Sequence, residues 1–238
     1  MGGRRPVTEA IRSGRARRVL VTRGAHQTEG LRSLIDAALG AGLAVEEVEQ
    51  EVVDRLGLRD HQGVAALVTA PREMDDRAVA ALSFDSDALV VVLDGITDPQ
   101  NLGACARSAE AAGASLLVAR KRRAAPLTAA AVRASAGALL HVPAARVTNL
   151  SRTLEYLRDR GFFVIGLDQD AQANIYDAPQ PSRPVAVVVG AEDAGLSRLV
   201  RESCDLLVAI PMAGRTGSLN AAAALAVALF GYVSRPSR

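Results

Sequence analysis

Six short apolar runs in the second part of the chain restrict its fold more than any other feature. Between residues 88 and 211 the sequence contains ALVVVL, SLLVA, ALLHVP, FFVIGL, VAVVVG and DLLVAIP, each bounded by turns or helical stretches. Runs that are apolar on both faces are typical of strands in a parallel sheet covered by helices on both sides. We therefore predict a parallel α/β domain with about six strands from Ala88 onward.

The first 70 residues alternate between helix and strand signals on a smaller scale. Helices are predicted near residues 6–13, 27–41 and 52–56, and strands at RRVLVT, LAVEEV and GVAALVT. This alternation argues for stacked α/β layers, whereas the segment that follows has Pro, acids and Ser with little strand signal. We predict a small α/β domain over 1–70, a linker over 71–87 and a larger domain over 88–238.

Composition narrows the classes of protein. No apolar run reaches the roughly 18 residues of a membrane span, and the start of the chain lacks the apolar core of a secretory signal, so we expect a cytoplasmic protein without membrane contact. Cys105 and Cys204 lie far apart, which fits reduced thiols better than a disulfide framework. Neither the Cys nor the three His residues have metal-ligand spacing, so no metal is expected.

Basic residues concentrate near the start of the chain, although the net charge is only +2. Residues 1–32 hold eight Arg against two acids, whereas residues 33–60 hold seven acids against two Arg. Such a surface fits phosphate binding, but 27 of the 28 basic residues are Arg, so coding bias with solvated side chains also explains it. With 3% aromatics and no Trp, any nucleic-acid contact would rest on charge more than on base stacking.

Three glycine-bearing turns follow predicted strands in the second domain. They are DGITDPQNLGACARSAEAAGA, VVVGAEDAGLSRLV and VAIPMAGRTGSLNAAAA. Open α/β sheets bind ligands at the carboxyl ends of their strands, yet none of these turns has the dinucleotide or the Walker spacing. Taken singly, each turn is explained by Gly at positive φ and by polar helix caps.

Polar residues capable of recognition cluster at these three turns. The set offers amides, a hydroxyl, a carboxylate and a guanidinium, with no Cys–His pairing, so hydrolytic nucleophile chemistry is poorly supported. Its members are Asn101, Arg107, Glu192, Ser218 and Asn220.

The three turns together resemble motifs 1, 2 and 3 of the SpoU/TrmH class of SPOUT RNA 2′-O-methyltransferases. These motifs are N-x-G with an Arg six residues after the Asn, then G-x-E-x-x-G, then I-P-M followed by S-L-N. Here they are NLGACAR, GAEDAG and IPMAGRTGSLN, in the same order. GRRPVTEAI and HQGVAAL in the first domain resemble the subgroup that methylates a guanosine ribose of 23S rRNA, in which an L30e-like domain helps to bind RNA.

The resemblance changes the expected fold and cofactor. Pattern alone predicts a Rossmann-like sheet, since knotted chains are nearly absent among folds. The family instead implies a trefoil-knotted catalytic domain with a parallel sheet, S-adenosylmethionine as the cofactor and a homodimer whose interface includes the last helix. The sequence SLNAAAALAVALFGYV, apolar nearly all round, agrees with a buried last helix.

The resemblance also implies roles for the polar set. Arg107 would activate the ribose 2′-hydroxyl, either by accepting its proton or by stabilising the developing alkoxide. Asn101 would position Arg107 or the ribose, and Ser218 and Asn220 would shape the pocket near the transferred methyl. Glu192 would organise the site or meet Arg107 of the partner subunit. As ordinary structure, Ser218 and Glu192 would be helix-capping residues.

The cofactor pocket is expected where motifs 2 and 3 meet. By motif position, the backbones of Gly190, Ile210 and Leu219 would line it. The side chains of Ile210, Met212 and Leu219 would enclose the adenine ring, whose edge main-chain groups can bind. Without the motifs, Ile210 and Leu219 would simply be core residues.

Two further features each have two interpretations. The basic run Arg120, Lys121, Arg122 and Arg123 follows the second predicted strand and either contacts RNA phosphate or is a solvated loop. His61 is either a turn residue satisfied by local contacts or an RNA contact, and we favour the first interpretation.

The sequence therefore predicts a two-domain, dimeric RNA ribose 2′-O-methyltransferase that uses S-adenosylmethionine, most simply on a guanosine of 23S rRNA. The alternatives are action on tRNA or on an rRNA adenosine, and a non-catalytic RNA-binding factor of the same fold. A dinucleotide-dependent dehydrogenase is disfavoured because no turn has the required glycine spacing.

Overall fold

The N-terminal unit is a three-stranded sheet with helices packed on it. The computed structural model describes residues 1–24, 28–58, 60–70, 73–179, 181 and 184–233. Its first elements are α1 (Arg4–Arg12), β1 (Ala16–Thr22), α2 (Glu29–Gly40), β2 (Ala44–Val48), α3 (Gln50–Asp54) and β3 (Val64–Val68). The strand order is β2-β1-β3, with β1 parallel to β2 and antiparallel to β3. All six predicted elements are confirmed, except that residue 27 lies outside the described residues.

The C-terminal unit is built on an eight-stranded sheet. Its elements are β4 (Glu73–Met74), α4 (Asp76–Ala80), β5 (Leu89–Asp94), α5 (Pro99–Ala111), β6 (Leu116–Arg120), α6 (Ala129–Ala134), β7 (Ala144–Val147), α7 (Leu150–Arg158), β8 (Phe163–Leu167), β9 (Ala173–Asn174), β10 (Val185–Gly190), α8 (Arg198–Glu202), β11 (Leu206–Ala209) and α9 (Ala221–Ala228), followed by a π-helical turn (Leu229–Val233). The order is β4-β7-β6-β5-β10-β8-β11-β9, and every neighbouring pair is parallel. The predicted parallel sheet is confirmed.

The central strands explain why the apolar runs show no alternation. In β5, Leu89, Val91 and Leu93 belong to one apolar cluster, while Val90 and Val92 belong to a second cluster on the other face. Every residue of β5 and β10 is buried. Because side chains alternate across a strand, both faces must be apolar when helices cover both.

One strand prediction is wrong. The run ALLHVP does not form a strand: Ala138–Leu140 is a 3₁₀ turn, and the strand β7 begins only at Ala144. Gly137 precedes the turn in the left-handed region, with φ of 95°, and the Leu139 N–H donates to Ser135 Oγ at 3.2 Å. Leu139 and Leu140 are buried in this turn, so packing rather than strand pairing satisfies the apolar run.

The segment predicted as a linker is partly regular structure. Within 71–87, residues 71 and 72 lie outside the described residues, but β4 pairs with β7 and extends the large sheet. The Asp76 carboxylate accepts hydrogen bonds from Thr148 N and Oγ1, each at 3.0 Å. Partial burial opposes ionisation of Asp76, but these hydrogen bonds outweigh it and hold its pKa below the usual value. The segment is thereby fixed to the start of α7.

The two units meet through α1 and the turn before β7. His141 Nε2 lies 3.0 Å from Glu9 Oε2, and Arg15 Nε donates to the Leu140 carbonyl at 2.8 Å. Buried residues of both units belong to one continuous apolar cluster. Among the described residues, no helix is long and apolar enough to cross a bilayer.

Candidate active site

A pocket of about 310 Å³ opens where β8, β10 and β11 end. It brings together Gly190, Glu192, Ile210, Met212, Ser218 and Leu219, all of which were predicted site residues. This edge of the sheet is where the carboxyl ends of the parallel strands converge, as in other open α/β folds. The pocket is within the size range of small-molecule sites, roughly 300–1,000 Å³.

Gly190 is required by a close approach of two backbone segments. A Cβ atom on Gly190 would lie 2.1 Å from the carbonyl carbon of Gly195 and 2.5 Å from the nitrogen of Leu196. Gly195 itself has a φ of 60°, and its N–H donates to the Ala191 carbonyl at 2.8 Å. The two glycines of GAEDAG therefore allow a tight loop that turns back against the end of β10 and forms one wall of the pocket.

Asn101, Glu192 and Asn220 form a hydrogen-bonded cluster near the pocket. Asn220 Nδ2 donates to Glu192 Oε1 at 2.6 Å and to Asn101 Oδ1 at 2.9 Å, and Asn101 Nδ2 donates to the same Glu192 oxygen at 2.5 Å. Asn220 Oδ1 also caps α9 by accepting from Ala222 N. Two asparagines, from motifs 1 and 3, thus hold the carboxylate of motif 2 in a fixed position.

Cys105 is excluded as a nucleophile at this site. Burial, together with the negative charge of Glu192, raises the pKa of the Cys105 thiol to about 12. The thiolate is the nucleophilic form of cysteine, and it is essentially absent near neutral pH with such a pKa. Burial and neighbouring acids also raise the pKa of the Cys204 thiol to about 12, so Cys204 is equally unreactive.

Arg107 does not join the cluster within one chain. Asn101 is the third residue of α5, so Arg107 lies about 240° further round the same helix. The Arg107 side chain is exposed, and no partner for its guanidinium is found within the described part of the chain. Ser218, in the loop before α9, lines the pocket and is exposed.

The basic run divides into one inward and three outward residues. The Arg120 guanidinium donates to Asp94 and to Ser197, each at 2.7 Å. It therefore faces the protein, whereas a phosphate contact would have to face the solvent. Lys121, Arg122 and Arg123 are exposed. The geometry therefore leaves these three side chains accessible, whereas Arg120 is engaged within the protein.

His61 is satisfied by its neighbours. Its Nε2 lies 2.9 Å from Asp54 Oδ1, and its Nδ1 accepts a hydrogen bond from the Gly63 N–H at 3.2 Å. Asp60 and Gln62, on either side, both have positive φ. Both ring nitrogens are used locally, which favours the structural interpretation of His61.

Several pocket residues lie in a segment that the sequence analysis did not single out. Asp168, Gln169 and Asp170 follow β8 and line the pocket together with Arg201, and Arg201 Nε lies 3.0 Å from Asp168 Oδ2. The sequence did offer one signal for these residues, because DQD directly follows the predicted strand FFVIGL. The carboxyl ends of parallel strands meet at the same edge of the sheet, where ligands bind.

The lining of the pocket suits a ligand with a positive charge and a flat apolar part. Four acids line it, Asp168, Asp170, Glu192 and Asp193, against the single basic residue Arg201. Ile210, Met212 and Leu219 provide the apolar surface. Among the described residues no group of side chains could hold a metal ion.

A parallel α/β sheet with a pocket at the carboxyl ends of its strands, joined to a small three-stranded α/β unit, is the arrangement that the resemblance to the SpoU/TrmH class predicts. A family model described as the SpoU rRNA Methylase family matches residues 88–230. A second model, described as RNA 2′-O ribose methyltransferase substrate binding, matches residues 2–74. The chain therefore belongs to the SpoU methylase family.

Similar proteins agree with this assignment. An uncharacterized tRNA/rRNA methyltransferase of Mycolicibacterium vanbaalenii is 44% identical over 231 residues, covering 95% of this chain and 73% of the relative. A putative TrmH family tRNA/rRNA methyltransferase of Bacillus subtilis is 40% identical over 201 residues, covering 84% of this chain and 80% of the relative.

Solved structures are similar over nearly the whole chain. An RNA 2′-O ribose methyltransferase has a TM-score of 0.79 at 28% identity, covering 96% of this chain and 85% of that one. The SpoU methyltransferase AviRb of Streptomyces viridochromogenes, in complex with AdoMet, has a TM-score of 0.78 at 29% identity, covering 97% of this chain and 87% of that one. The predicted family, the enzyme class and S-adenosylmethionine as the cofactor are confirmed.

Proposed function

We propose that the protein transfers a methyl group from S-adenosylmethionine to the ribose 2′-hydroxyl of a guanosine in 23S rRNA. The observation that carries this proposal is the Asn101–Glu192–Asn220 cluster beside the Gly190 pocket, in a chain whose first unit matches an RNA ribose substrate-binding family. HQGVAAL and GRRPVTEAI support the ribosomal subgroup over tRNA enzymes. The proposed substrate would be met in the cytoplasm.

The pocket fits the cofactor. S-adenosylmethionine supplies an electrophilic methyl group on a positively charged sulfur. The excess of acids in the lining complements that charge, and the close approach at Gly190 brings the backbone of the loop 191–196 to the pocket wall. Ile210, Met212 and Leu219 would enclose the ring.

The polar residues would then prepare the hydroxyl for attack. A guanidinium carries a fixed positive charge and five donors, so Arg107 would stabilise the alkoxide that forms as the 2′-proton passes to solvent water. Glu192, held by Asn101 and Asn220, would orient an arginine that arrives from the partner subunit. Ser218 would contact the ribose side of the pocket.

The test of the function is methyl transfer from labelled S-adenosylmethionine to unmodified 23S rRNA, 16S rRNA and tRNA. We expect label on 23S rRNA as 2′-O-methylguanosine after nuclease digestion. Label on tRNA, or on an rRNA adenosine, would replace the proposed substrate with one of the alternatives. Cofactor binding without label on any RNA would indicate a non-catalytic RNA-binding factor.

We also propose a homodimer formed through α9 and the π-helical turn that follows it, because one side of this segment is apolar and exposed. Ala223 and Phe230 are exposed and Val227 is half-buried, at the spacing of one helical face, whereas the opposite side packs on the core. Phe230 is 51% exposed. Such a stripe is expected to be covered by a second copy.

Replacing Phe230 by Asp is expected to convert the dimer to a monomer, because a charge in the interface would be desolvated without a partner. Sedimentation velocity would measure the change. Leu67, 65% exposed on β3, gives a matched control, and Leu67→Asp is expected to stay dimeric. A Phe230→Asp protein that sediments as the native one does would exclude this face as the interface.

The same proposal assigns a separate function to each unit. It also includes the trefoil knot. Residues 1–70 would bind RNA and residues 88–238 would carry catalysis, with β4 linking them through the edge of the large sheet. The trefoil knot would form in the segments around α9, which packs against α5, β8 and β10.

A further inference from the structure

A polar network connects the ends of β5 and β6 to the loop of the cofactor pocket. Asp94, the last residue of β5, is 3% exposed, and its Oδ1 accepts from Arg120 Nε at 2.7 Å. Its other oxygen accepts from the Ser197 N–H at 2.7 Å, and Arg120 Nη2 donates to Ser197 Oγ at the same distance. Three residues distant in sequence are thus joined by three hydrogen bonds.

Ser197 is the point at which this network reaches the pocket. It directly follows Gly195 and Leu196, which line the pocket, and Gly195 is the segment that packs against Gly190. A shift of Ser197 would therefore move the wall that faces the cofactor. A buried carboxylate needs its partners, so the Arg120 guanidinium is required to hold both Asp94 and Ser197 in place.

A different arginine holds the basic loop. Arg146, on β7, donates from Nη2 to the Lys121 carbonyl at 2.6 Å and from Nε to the Arg120 carbonyl at 3.3 Å. The Lys121 N–H continues the sheet by donating to Val147 O at 2.8 Å. The side chains of Lys121, Arg122 and Arg123 are exposed, and none has an ion-pair partner among the described residues.

We propose that Arg120 and Arg146 are positioning residues with separate tasks in the reaction. Arg120 holds the Gly195–Ser197 wall of the cofactor pocket, and Arg146 holds the backbone of the loop 121–123, whose cationic side chains bind RNA phosphate. This inference rests on the proposed function for its RNA half only. It assigns to Arg120 a task at the cofactor and not at the RNA.

The structure gives a physical reason why lysine cannot replace Arg120. The guanidinium is a planar fork that reaches Asp94 and Ser197 at once, whereas an ammonium is a single point charge on a flexible stem. Arg120→Lys keeps the charge, so any electrostatic attraction of RNA is preserved. The contact with Ser197 Oγ is lost, so the pocket wall is held only by the Ser197 N–H bond to Asp94 and is loosened.

The test is calorimetry with S-adenosylmethionine alone, followed by RNA binding to unmodified 23S rRNA fragments. Arg120→Lys is expected to weaken cofactor binding about 10-fold and leave the RNA Kd within about 2-fold. Arg146→Gln is expected to weaken RNA binding about 5- to 10-fold and leave the cofactor Kd unchanged. In steady state, Arg120→Lys should raise KM for the cofactor at nearly native kcat, a split that simple loss of folded protein would not produce.

Arg158→Lys is the matched control, since Arg158 pairs with Asp205 at 3.1 Å at the opposite edge of the sheet. Arg158→Lys should change neither the cofactor Kd nor the RNA Kd. If Arg120→Lys is poorly folded by circular dichroism, Ser197→Ala, which removes only the hydroxyl acceptor, must show the weakened cofactor binding instead.

The proposal is overturned if Arg120→Lys binds the cofactor as the native protein does, or if Arg120→Gln loses RNA affinity with a salt slope smaller by roughly one. That second result would make Arg120 a phosphate contact. If the native protein methylates no RNA, the proposed function fails, but the cofactor calorimetry still decides the task of Arg120.

Discussion

Replacing Gly190 by Ala is expected to weaken cofactor binding severely and, with it, to reduce methyl transfer. The added Cβ would lie 2.1 Å from the Gly195 carbonyl carbon and 2.2 Å from its oxygen. These are backbone atoms, so no flexible side chain can swing away. Non-bonded carbon atoms need about 3.5–4.0 Å, so the Gly195 segment must move by more than about 1 Å into the pocket or away from it.

The size of the effect follows from where that movement occurs. Gly195 and Leu196 line the pocket, and Ser197 is held by the Asp94–Arg120 pair, so the loop cannot relax without breaking a buried polar network. We expect the S-adenosylmethionine Kd to rise at least ~100-fold, a cost of about 3 kcal/mol. Calorimetry measures it, and circular dichroism shows whether the sheet remains.

Gly40→Ala supplies the control for Gly190→Ala. It makes the same chemical change at the end of α2, where a Cβ would meet no atom within 4 Å. It should bind the cofactor normally. Native cofactor affinity in Gly190→Ala would show that the Gly195 segment moves freely and would remove Gly190 from the site.

The glycines show how far sequence patterns reach. Gly103 and Gly190 lie in motifs, but without the motifs their local sequence indicates only ordinary glycines of turns or helix starts. In the structure, a Cβ on Gly103 would lie 2.4 Å from the Ala134 Cβ, so this glycine lets α6 pack against α5. The approach at Gly103 joins segments about 30 residues apart and leaves no local signal, whereas that at Gly190 lies within its own motif, at Gly195. In both cases only the motif pointed to the position.

The errors have a common physical cause. The buried strands β5 and β10 were predictable because burial on both faces requires a continuous apolar run. The run ALLHVP meets the same requirement as a buried 3₁₀ turn, and two-residue strands such as β4 are too short to show a period. Local pattern specifies burial, but the partner that provides it lies elsewhere in the chain.

Arg120 illustrates the same limit at the level of the site. In sequence it is one of four consecutive basic residues, and charge alone cannot tell which of them faces inward. Its direction is decided by Asp94, which lies 26 residues earlier and one strand away. The pocket residues Gly190, Ile210 and Leu219 were predicted from motifs, whereas Asp168 and Arg201 were not predicted and were found in the tertiary structure.

Arg107→Ala is expected to lower methyl transfer about 10³-fold while leaving cofactor binding intact, since donors to a developing oxyanion contribute to the transition state only. The position of Arg107 sharpens this expectation. It lies on the side of α5 away from Asn101, so within one chain it does not approach the cluster around Glu192. We therefore propose that Arg107 acts at the site of the partner subunit.

Mixed dimers test that assignment directly. A dimer with one Arg107→Ala chain and one Gly190→Ala chain, co-expressed with two different tags and purified through both, combines two inactive proteins. If Arg107 acts across the interface, the intact pocket of the first chain receives Arg107 from the second, and about half of the native activity per dimer returns. If Arg107 acts within its own chain, neither site is complete and the mixed dimer is as inactive as its parents. Because each parent homodimer lacks activity under both hypotheses, recovery can arise only from a site shared between two chains.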